Sequence, residues 1–437
     1  MSHKPSQETL RYPLRAWSIW LLSAAFMFYK YVIEVSPSVM TSTLMKAFNI
    51  GGVELGNFAA CYFYAYMFLQ IPAGLLLDKF GPRKTTTLAI ILCAAGTWMF
   101  AGAESLLSAN IGRFLTGIGA AFAVVNCLKL TSNWFPAKQF AFMAGLMMTM
   151  AMLGAVGGQS PLAGFIEKSG WRYAMQALAI AGLVLAVIFW LVVRDKSPDH
   201  RKDWHIASTR ISLLASLKEA LKNPQSWWLS LYSGFAFAPV MVFGGMWGVS
   251  FIETAFHLSD DLAVQRDLAA QMVSLIFIGF AVGAPTFGWL SDRLGRRRIV
   301  MTWGTLLSLA AISAVIYAPG PSERMLAFLM FVFGFAISSF LLCFTMIREI
   351  NSPILAATAI GFMNAFDALV GAISDPLAGK FLDTAWGGQL VDGIRVFSIE
   401  AYQSAFLIIP LYLILSLLML IKIRETHCKP TYPASLP

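Results

Sequence analysis

The chain contains Gly74-Leu-Leu-Leu-Asp78-Lys79-Phe-Gly81-Pro82-Arg83-Lys84, and 214 residues further on it contains Gly288-Trp-Leu-Ser-Asp292-Arg293-Leu-Gly295-Arg296-Arg297-Arg298. Both stretches read G-x-x-x-D-[KR]-x-G-x-[RK]-[RK], and a proline precedes each one, Pro72 and Pro285. A repeat spaced by about half the chain length is the trace of a duplicated structural unit. The sequence therefore predicts two related halves.

The residue types of this loop motif suggest a mechanical role. A carboxylate ends one segment, a glycine permits a tight reversal, and cations begin the next segment. The carboxylate can accept bonds from a helix N-terminus or pair with a nearby arginine. We predict that the motifs latch one half against the other in one conformational state; the alternative is a simple turn carrying loop cations. The predicted latch residues are Gly74, Asp78, Gly81, Arg83, Lys84, Gly288, Asp292, Gly295, Arg296 and Arg297.

Composition places the chain in a membrane. Of its 437 residues 58% are hydrophobic and 13% are charged, whereas soluble domains carry about 25% charged residues. Runs of about 20 apolar residues are long enough to cross a bilayer. The sequence predicts twelve such spans, at 16–44, 54–77, 84–105, 107–133, 139–166, 172–193, 227–256, 268–291, 299–318, 324–347, 355–381 and 402–422.

The distribution of positive charge predicts the orientation. With both termini inside, 21 lysines and arginines fall in cytoplasmic segments and seven in external ones, as the positive-inside rule requires. We therefore expect both termini in the cytoplasm and the protein in the plasma membrane, the inner membrane of a bacterium. Loops that face an anionic leaflet also explain the net charge of +9 without a nucleic-acid partner.

Two six-helix units and a linker are the predicted organisation. We expect an N-terminal bundle over residues 1–194, a cytoplasmic linker over 195–226, and a C-terminal bundle with a cytoplasmic tail over 227–437. Within the linker, Leu213, Leu214, Leu217 and Leu221 recur at helical spacing. This pattern predicts a short helix on the membrane surface, and a helix that binds a protein partner is the alternative.

The sequence lacks the motifs typical of metal, redox, nucleophile and ATP-binding sites. The five cysteines and five histidines show no spacing typical of metal, redox or nucleophile sites. No G-x-x-x-x-G-K-[ST] loop is present, so ATP is not bound by that route. We therefore expect no catalytic residues, no metal and no cofactor, and energy from an ion gradient.

The paired loop motif resembles the hallmark of the major facilitator superfamily, and the resemblance covers the whole chain. Span four supports it with Arg113-Phe-Leu-Thr-Gly117-Ile-Gly119. From Arg113 through Asn126, Lys129 and Trp134-Phe135-Pro136 it is similar to the anion:cation symporter and sugar-phosphate branches. The resemblance implies an all-α membrane fold of two pseudo-symmetric six-helix bundles and secondary transport.

The sequence also departs from the family pattern. Pro82 replaces a common basic residue of the loop motif, and Ala120 stands where the anion:cation branch commonly has an acid. The glycine-proline order of span five does not match the family's antiporter motif. That mismatch favours uptake over efflux.

Ionisable residues within spans are functional candidates, because charge in lipid is costly. Lys30 and Glu34 lie four residues apart on one helical face. They either neutralise each other or place Lys30 against a substrate anion, with Glu34 as a coupling candidate. Arg113 is a candidate anion ligand or a structural hub tied to Glu34. Lys129 is a gate or substrate contact, or a lysine that reaches to the interface.

The other candidates are polar residues of spans two, seven and eleven. Asp367 is a candidate for ion coupling, and Asn364 lies one helical turn before it. Tyr62, Tyr66 and Gln70 form a stripe along span two, which either lines the substrate site or packs against other helices. In span seven, Pro239, Gly244 and Gly245 favour an interrupted helix.

These residues predict a secondary active transporter that moves a small organic solute by alternating access. The cations Lys30, Arg113 and Lys129 favour an anion, either a carboxylate or a phosphorylated metabolite, coupled to H+ or another ion. The expected partners are this substrate, the coupling ion and the lipid bilayer, with the protein as a monomer. The alternatives are a carrier of amino acids or dipeptides, an efflux antiporter, and a membrane sensor that does not transport.

Overall fold

Helices make up nearly all of the computed structural model, which describes residues 11–136, 139–195, 218–219, 221–318, 320–391 and 393–431. The first nine helices are α1 Arg11–Val35, α2 Thr41–Phe48, α3 Gly52–Phe80, α4 Pro82–Ala101, α5 Leu106–Ala120, α6 Phe122–Trp134, α7 Phe140–Gly157, α8 Ser160–Ser169 and α9 Trp171–Val192. The next nine are α10 Pro224–Pro239, α11 Gly248–Ala255, α12 Leu262–Leu294, α13 Arg297–Tyr317, α14 Glu323–Ile337, α15 Leu342–Ile350, α16 Pro353–Thr384, α17 Ile399–Ala405 and α18 Ile408–Lys422.

Short irregular segments connect some of these helices. Ser36–Val39 and Ser338–Leu341 are 3-10 turns, and Val240–Trp247 is π-helical. Strands β1 Leu390–Val391 and β2 Ile394–Arg395 form a small antiparallel hairpin. The π-helical segment follows Pro239, where the sequence predicts an interrupted span.

The membrane spans correspond closely to the predicted ones. In the described part of the chain, ten helical stretches are long and apolar enough to cross a membrane. The pair Gly52–Gln70 and Pro72–Phe80, bent by 59°, brings the number to eleven, and a proline within a helix is an ordinary cause of such a bend. The remaining predicted span lies in α16, whose 32 residues give a length of about 48 Å.

The helices before residue 195 pack mainly on one another, and so do those after residue 223. In the first set α4 packs on α5 and α9, α3 on α5, and α1 on α7. In the second set α12 packs on α14, α13 on α14, and α10 on α16 and α18. We call these sets the N half and the C half. Of the predicted linker helix, Leu213, Leu214 and Leu217 lie outside the described residues, whereas 221–222 are helical.

The two halves meet along α3 with α16 and along α7 with α12. Contact is tightest at the end of the molecule that carries the start of α3, which we call the opposite end. There a side chain at Gly52 would place its Cβ 2.7 Å from the carbonyl oxygen of Gly379. The other end, which carries both loop motifs, is called the motif end.

Candidate functional site

A cavity of about 750 Å³ lies between the two halves. Its inner end is lined by Lys30, Glu34 and Asp367, all of which are buried. Its walls continue to Phe142 and Arg348 at the motif end, and both of these side chains are exposed. The cavity is therefore accessible from the motif end.

Asp383 closes the opposite end across the two halves. It lies in the last turn of α16, and its carboxylate accepts hydrogen bonds from the backbone N–H groups of Gly52 at 2.9 Å and Val53 at 2.8 Å. These groups belong to the first turn of α3, where N–H groups have no partner within the helix. Arg395 of the same half donates to Asp383 at 2.9 Å and holds the carboxylate in place.

Gln159 makes a second closure between the halves. This buried side chain, at the break between α7 and α8, donates from Nε2 to the carbonyl of Gly244 at 2.8 Å. Gly244 lies in the π-helical segment that the sequence predicts as an interruption. The Gly244 carbonyl therefore accepts a hydrogen bond from the other half and is not available to a ligand in the cavity. The hydroxyls of Thr41 and Ser250 form a further hydrogen bond nearby.

Lys30 and Glu34 form an ion pair at the inner end of the cavity, as their spacing suggests. Glu34 also accepts a hydrogen bond from the Tyr62 hydroxyl at 2.7 Å. The Lys30 ammonium lies 3.8 Å from the ring centre of Tyr31 and 5.0 Å from that of Tyr66. An ammonium over aromatic faces gains a favourable cation–π interaction, which helps to keep this charge inside the protein.

Arg113 lies beside this pair but does not line the cavity. It is only 2% exposed, and it donates to the backbone carbonyls of Ile33 at 2.9 Å and Glu34 at 3.2 Å. Its guanidinium also lies 5.1 Å from the ring centre of Tyr62. This placement favours the structural alternative for Arg113, because its donors hold the last turn of α1.

Lys129 lies away from the inner end of the cavity, near the motif end. Its ammonium binds the Asp78 carboxylate at 2.6 Å, and both side chains are partly exposed. Lys129 therefore joins α6 to the first loop motif of the same half.

Both loop motifs turn as predicted and bind within their own halves. Gly81 has φ 84° and Gly295 has φ 61°, values that favour glycine. Asp292 pairs with Arg297 at 2.6 Å, and Arg297 also binds Glu349. A side chain at Gly288 would meet no described atom within 4 Å. In the part of the chain that the structure describes, these contacts of the motifs do not join the halves, and the latch stays a prediction for another conformation.

An acidic residue that follows the last helix of each half caps the helix after the motif. Asp195 accepts the backbone N–H of Arg83 at 2.7 Å. Glu425 likewise accepts those of Arg297 and Arg298, each at 2.9 Å. The two halves therefore share the loop motif and also the acidic residue that caps the helix after it.

The polar residues of span eleven lie on the C-half side of the cavity. Asn364 and Asp367 both line it, and Asn364 donates to Gln70 of α3 at 3.5 Å. Among the described residues, no donor hydrogen-bonds the Oδ1 atom of buried Asp367. This oxygen can accept a proton or a ligand cation. Of the α3 stripe, Tyr66 lines the cavity, whereas buried Tyr62 stacks behind it at 6.0 Å between ring centres.

Sequence reasoning missed Tyr31, Gln159 and the apolar cavity wall. Phe237, Phe280 and Phe340 form one side of that wall, and Met147, Met148 and Met152 lie on another. Phenylalanine and methionine are common on lipid-facing surfaces of membrane helices, so these residues carry no separate signal. Gln159 is a polar residue in an otherwise apolar span, and this pattern could have predicted a hydrogen-bonding role for it.

Comparison with known proteins places this geometry among transporters. The family model described as Major Facilitator Superfamily matches residues 19–259 and 235–435. The chain is 23% identical to the Probable sulfoacetate transporter SauU of Cupriavidus necator, over 84% of this chain and 81% of that protein. It is 24% identical to the Probable L-galactonate transporter of Escherichia coli strain K12, over 82% of each. A solved bacterial homologue of the human lysosomal transporter Spinster, in its inward-facing and unoccupied conformation, superposes with a TM-score of 0.72 at 16% identity, over 95% of this chain and 96% of that one.

Proposed function

Because the chain belongs to the Major Facilitator Superfamily, we propose that it carries a small organic anion across the membrane together with a proton. Membership makes it an integral membrane protein and a secondary transporter rather than an enzyme. With the motif end in the cytoplasm, as the charge distribution predicts, the conformation described here faces inward. Two relatives are named as probable transporters of sulfoacetate and L-galactonate, and these names support an organic anion as substrate.

The observation that carries the proposal is the buried ammonium of Lys30 at the inner end of the cavity. A substrate carboxylate or phosphate that reaches this depth gains a charge-assisted hydrogen bond from the buried ammonium. Lys30 is 3% exposed and Arg348 is exposed at the mouth. Among the described cavity-lining residues, Lys30 is therefore the one buried cation.

Glu34 supplies a physical route for coupling. While it is ionised, its carboxylate occupies the Lys30 ammonium and competes with a substrate anion. A proton on Glu34 removes the competing charge and frees the ammonium, so that proton and anion bind together. The titratable groups that interact with Glu34 are Lys30 and Tyr31 of α1, Tyr62 and Tyr66 of α3, and Arg113 of α5.

The test is the melting temperature of the purified protein with gluconate, glycerol 3-phosphate, 3-phenylpropanoate and alanine, at pH 6 and pH 8. A ligand at 100 times its Kd adds about 2.7 kcal/mol to stability, which is readily measured. We expect stabilisation by at least one of the three acids, stronger at pH 6. The Glu34→Gln variant should keep that binding and lose its dependence on pH.

The decisive variant is the neutral pair Lys30→Met with Glu34→Gln. Replacing both charges avoids the destabilisation that follows when one member of a buried ion pair remains alone. We expect no anion to stabilise this variant, whereas Lys168→Met, at an exposed site outside the cavity, should behave as the unaltered protein. Anion stabilisation that survives in the neutral pair would contradict the proposal.

A zwitterion carrier is the second candidate, because Asp367 offers a free carboxylate oxygen to the same cavity. An amino acid would place its carboxylate at Lys30 and its ammonium at Asp367. Stabilisation by alanine, lost in Asp367→Asn, would favour this alternative over the simple anion.

A further inference from the structure

The wall of the cavity is far more apolar than its inner end. Among the described residues that line it, seven are phenylalanine and four are methionine, whereas Lys30, Glu34, Arg348 and Asp367 are the charged ones. The walls along the route between Lys30 and Arg348 therefore present mainly apolar and aromatic surface. A ligand bound at Lys30 must place the rest of its body against this surface.

On the C-half side of the cavity, Phe237, Phe280 and Phe340 form a continuous cluster of rings, which we call the C-half wall. The rings of Phe237 and Phe340 are stacked, with centres 5.1 Å apart and planes inclined by 22°. Phe280 joins them at 6.0 Å from Phe340. The charged pair Lys30–Glu34 lies across the cavity on α1 of the N half. The ion pair of the N half thus shares the cavity with the ring cluster of the C half, and Phe63, Phe140 and Phe142 add aromatic surface on the N-half side.

Methionines supply the wall beside the aromatic rings. Met147, Met148 and Met152 come from α7, and Met241 comes from the π-helical segment of the other half. Methionine side chains are flexible and polarisable, so they adapt to apolar groups of different shape. A wall of this kind accepts a range of apolar bodies rather than one rigid outline.

We propose that the substrate is an amphipathic monoanion, with one carboxylate bound at Lys30 and an aromatic or aliphatic body held by the C-half wall. This inference rests on the proposed anion transport and narrows its substrate class. Polyhydroxylated acids fit the wall poorly, because hydroxyls placed against phenylalanine and methionine lose their bonds to water. Each such unpaired hydroxyl lowers affinity by about tenfold.

The test measures binding of butanoate, hexanoate and octanoate to the protein in lipid nanodiscs by calorimetry, with empty nanodiscs subtracted. Each methylene buried on the wall should tighten binding about fourfold, so that affinity rises steeply along the series. 3-Phenylpropanoate should bind at least about a hundredfold more tightly than gluconate, which carries five hydroxyls. An affinity that does not change with chain length would overturn the inference.

A matched pair of variants on one helix tests the wall itself. Phe237 lines the cavity and stacks on Phe340, whereas Phe235 lies outside the cavity and contacts Tyr412 with ring centres 5.4 Å apart. Both are half-buried. Phe237→Ser should weaken octanoate and 3-phenylpropanoate binding about tenfold, and Phe235→Ser should leave both unchanged. Equal effects of the two variants would also overturn the inference.

The outcomes separate this inference from the proposed function. If gluconate binds more tightly than 3-phenylpropanoate, and its binding is lost in the neutral Lys30→Met, Glu34→Gln pair, anion transport stands and the amphipathic substrate class is wrong. If no acid requires Lys30, both proposals fail together. Octanol supplies the neutral control, because its binding should not respond to the charge at Lys30.

Discussion

Asp383→Ala should shift the transporter away from the conformation described here. The Asp383 carboxylate binds Gly52 and Val53 of the other half. When the halves separate at the opposite end, water replaces these contacts, so they stabilise the closed arrangement alone. Removing the carboxylate therefore raises the free energy of that arrangement relative to the one open at the opposite end.

The size of the shift follows from the two roles of the carboxylate. Loss of an N-cap aspartate costs about 1 kcal/mol, and loss of a negative charge beside a helix N-terminus costs about 0.5 kcal/mol more. Together they amount to about 1.5 kcal/mol, which is about a tenfold fall in the ratio of closed to open molecules. Arg395 and Asp383 lie in the same half, so their contact is present in both conformations and does not change the free-energy difference between them.

Spin labels at the opposite end can measure the ratio. Lys168→Cys on α8 and Lys380→Cys on α16 place one exposed label on each half, in a background where the half-buried Cys61 and Cys428 are serine. Pulsed electron paramagnetic resonance spectroscopy then reports the populations of short and long distances between the two labels. The population of long distances should grow about tenfold relative to the short one in Asp383→Ala.

Asp261→Ala is the matched control for this experiment. Asp261 also caps a helix, accepting from Ala263 at 2.8 Å and Val264 at 3.2 Å, but these partners lie in its own half. The control should lower the melting temperature without altering the distance populations. Unchanged populations in Asp383→Ala would refute the argument that this cap holds the opposite end closed.

Two further expectations concern Arg113 and the orientation in the membrane. Arg113→Ala removes the Arg113 donors from the buried carbonyls of Ile33 and Glu34, and the Ser36 hydroxyl still donates to that of Ile33. The lost hydrogen bonds cost about 1–3 kcal/mol, so the melting temperature should fall before any ligand is added. An unchanged melting temperature with anion binding lost would instead make Arg113 a direct ligand. In intact cells, Lys168→Cys should react with a membrane-impermeant maleimide and Lys429→Cys should not, because the positive-inside rule places residue 429 in the cytoplasm; the reverse pattern would invert the proposed orientation.

The spans, the two halves and the ion pair follow from local sequence rules. Hydropathy locates the membrane helices, and the repeated motif reveals the duplication. The spacing of Lys30 and Glu34 places them on one helical face, where they pair. Each of these features depends on residues that are near in sequence or on a pattern that is repeated.

The roles of Arg113 and Lys129 depend instead on how whole helices rotate. Sequence alone allows Arg113 to face the cavity, but the packing of α5 on α3 and α4 directs it to the end of α1. The partner of Lys129 lies 51 residues away on another helix. No periodicity in a single sequence fixes such rotations, because an apolar membrane helix is apolar on both its lipid and its packed faces.

The end of α1 joins the proposed substrate site to the closed opposite end. The ion pair occupies the last turns of α1, and the 3-10 segment Ser36–Val39 follows at once. That segment packs against the π-helical Val240–Trp247 of the other half. Its Ser38 hydroxyl donates to Gln159 at 3.2 Å, and Gln159 holds the Gly244 carbonyl across the halves.

This continuity gives the proposed coupling a mechanical consequence. A ligand shifts a conformational equilibrium only as far as it binds the two conformations differently. An anion that draws the Lys30 ammonium away from Glu34 changes the forces on the same helical turn whose carbonyls Arg113 holds. The next residues along the chain form the contact that must break when the opposite end opens. Occupancy of the site and closure of the opposite end therefore act on one short stretch of backbone, the end of α1 with Ser36–Val39. The π-helical segment Val240–Trp247 that packs against it belongs to a type of helix that occurs frequently at functional sites.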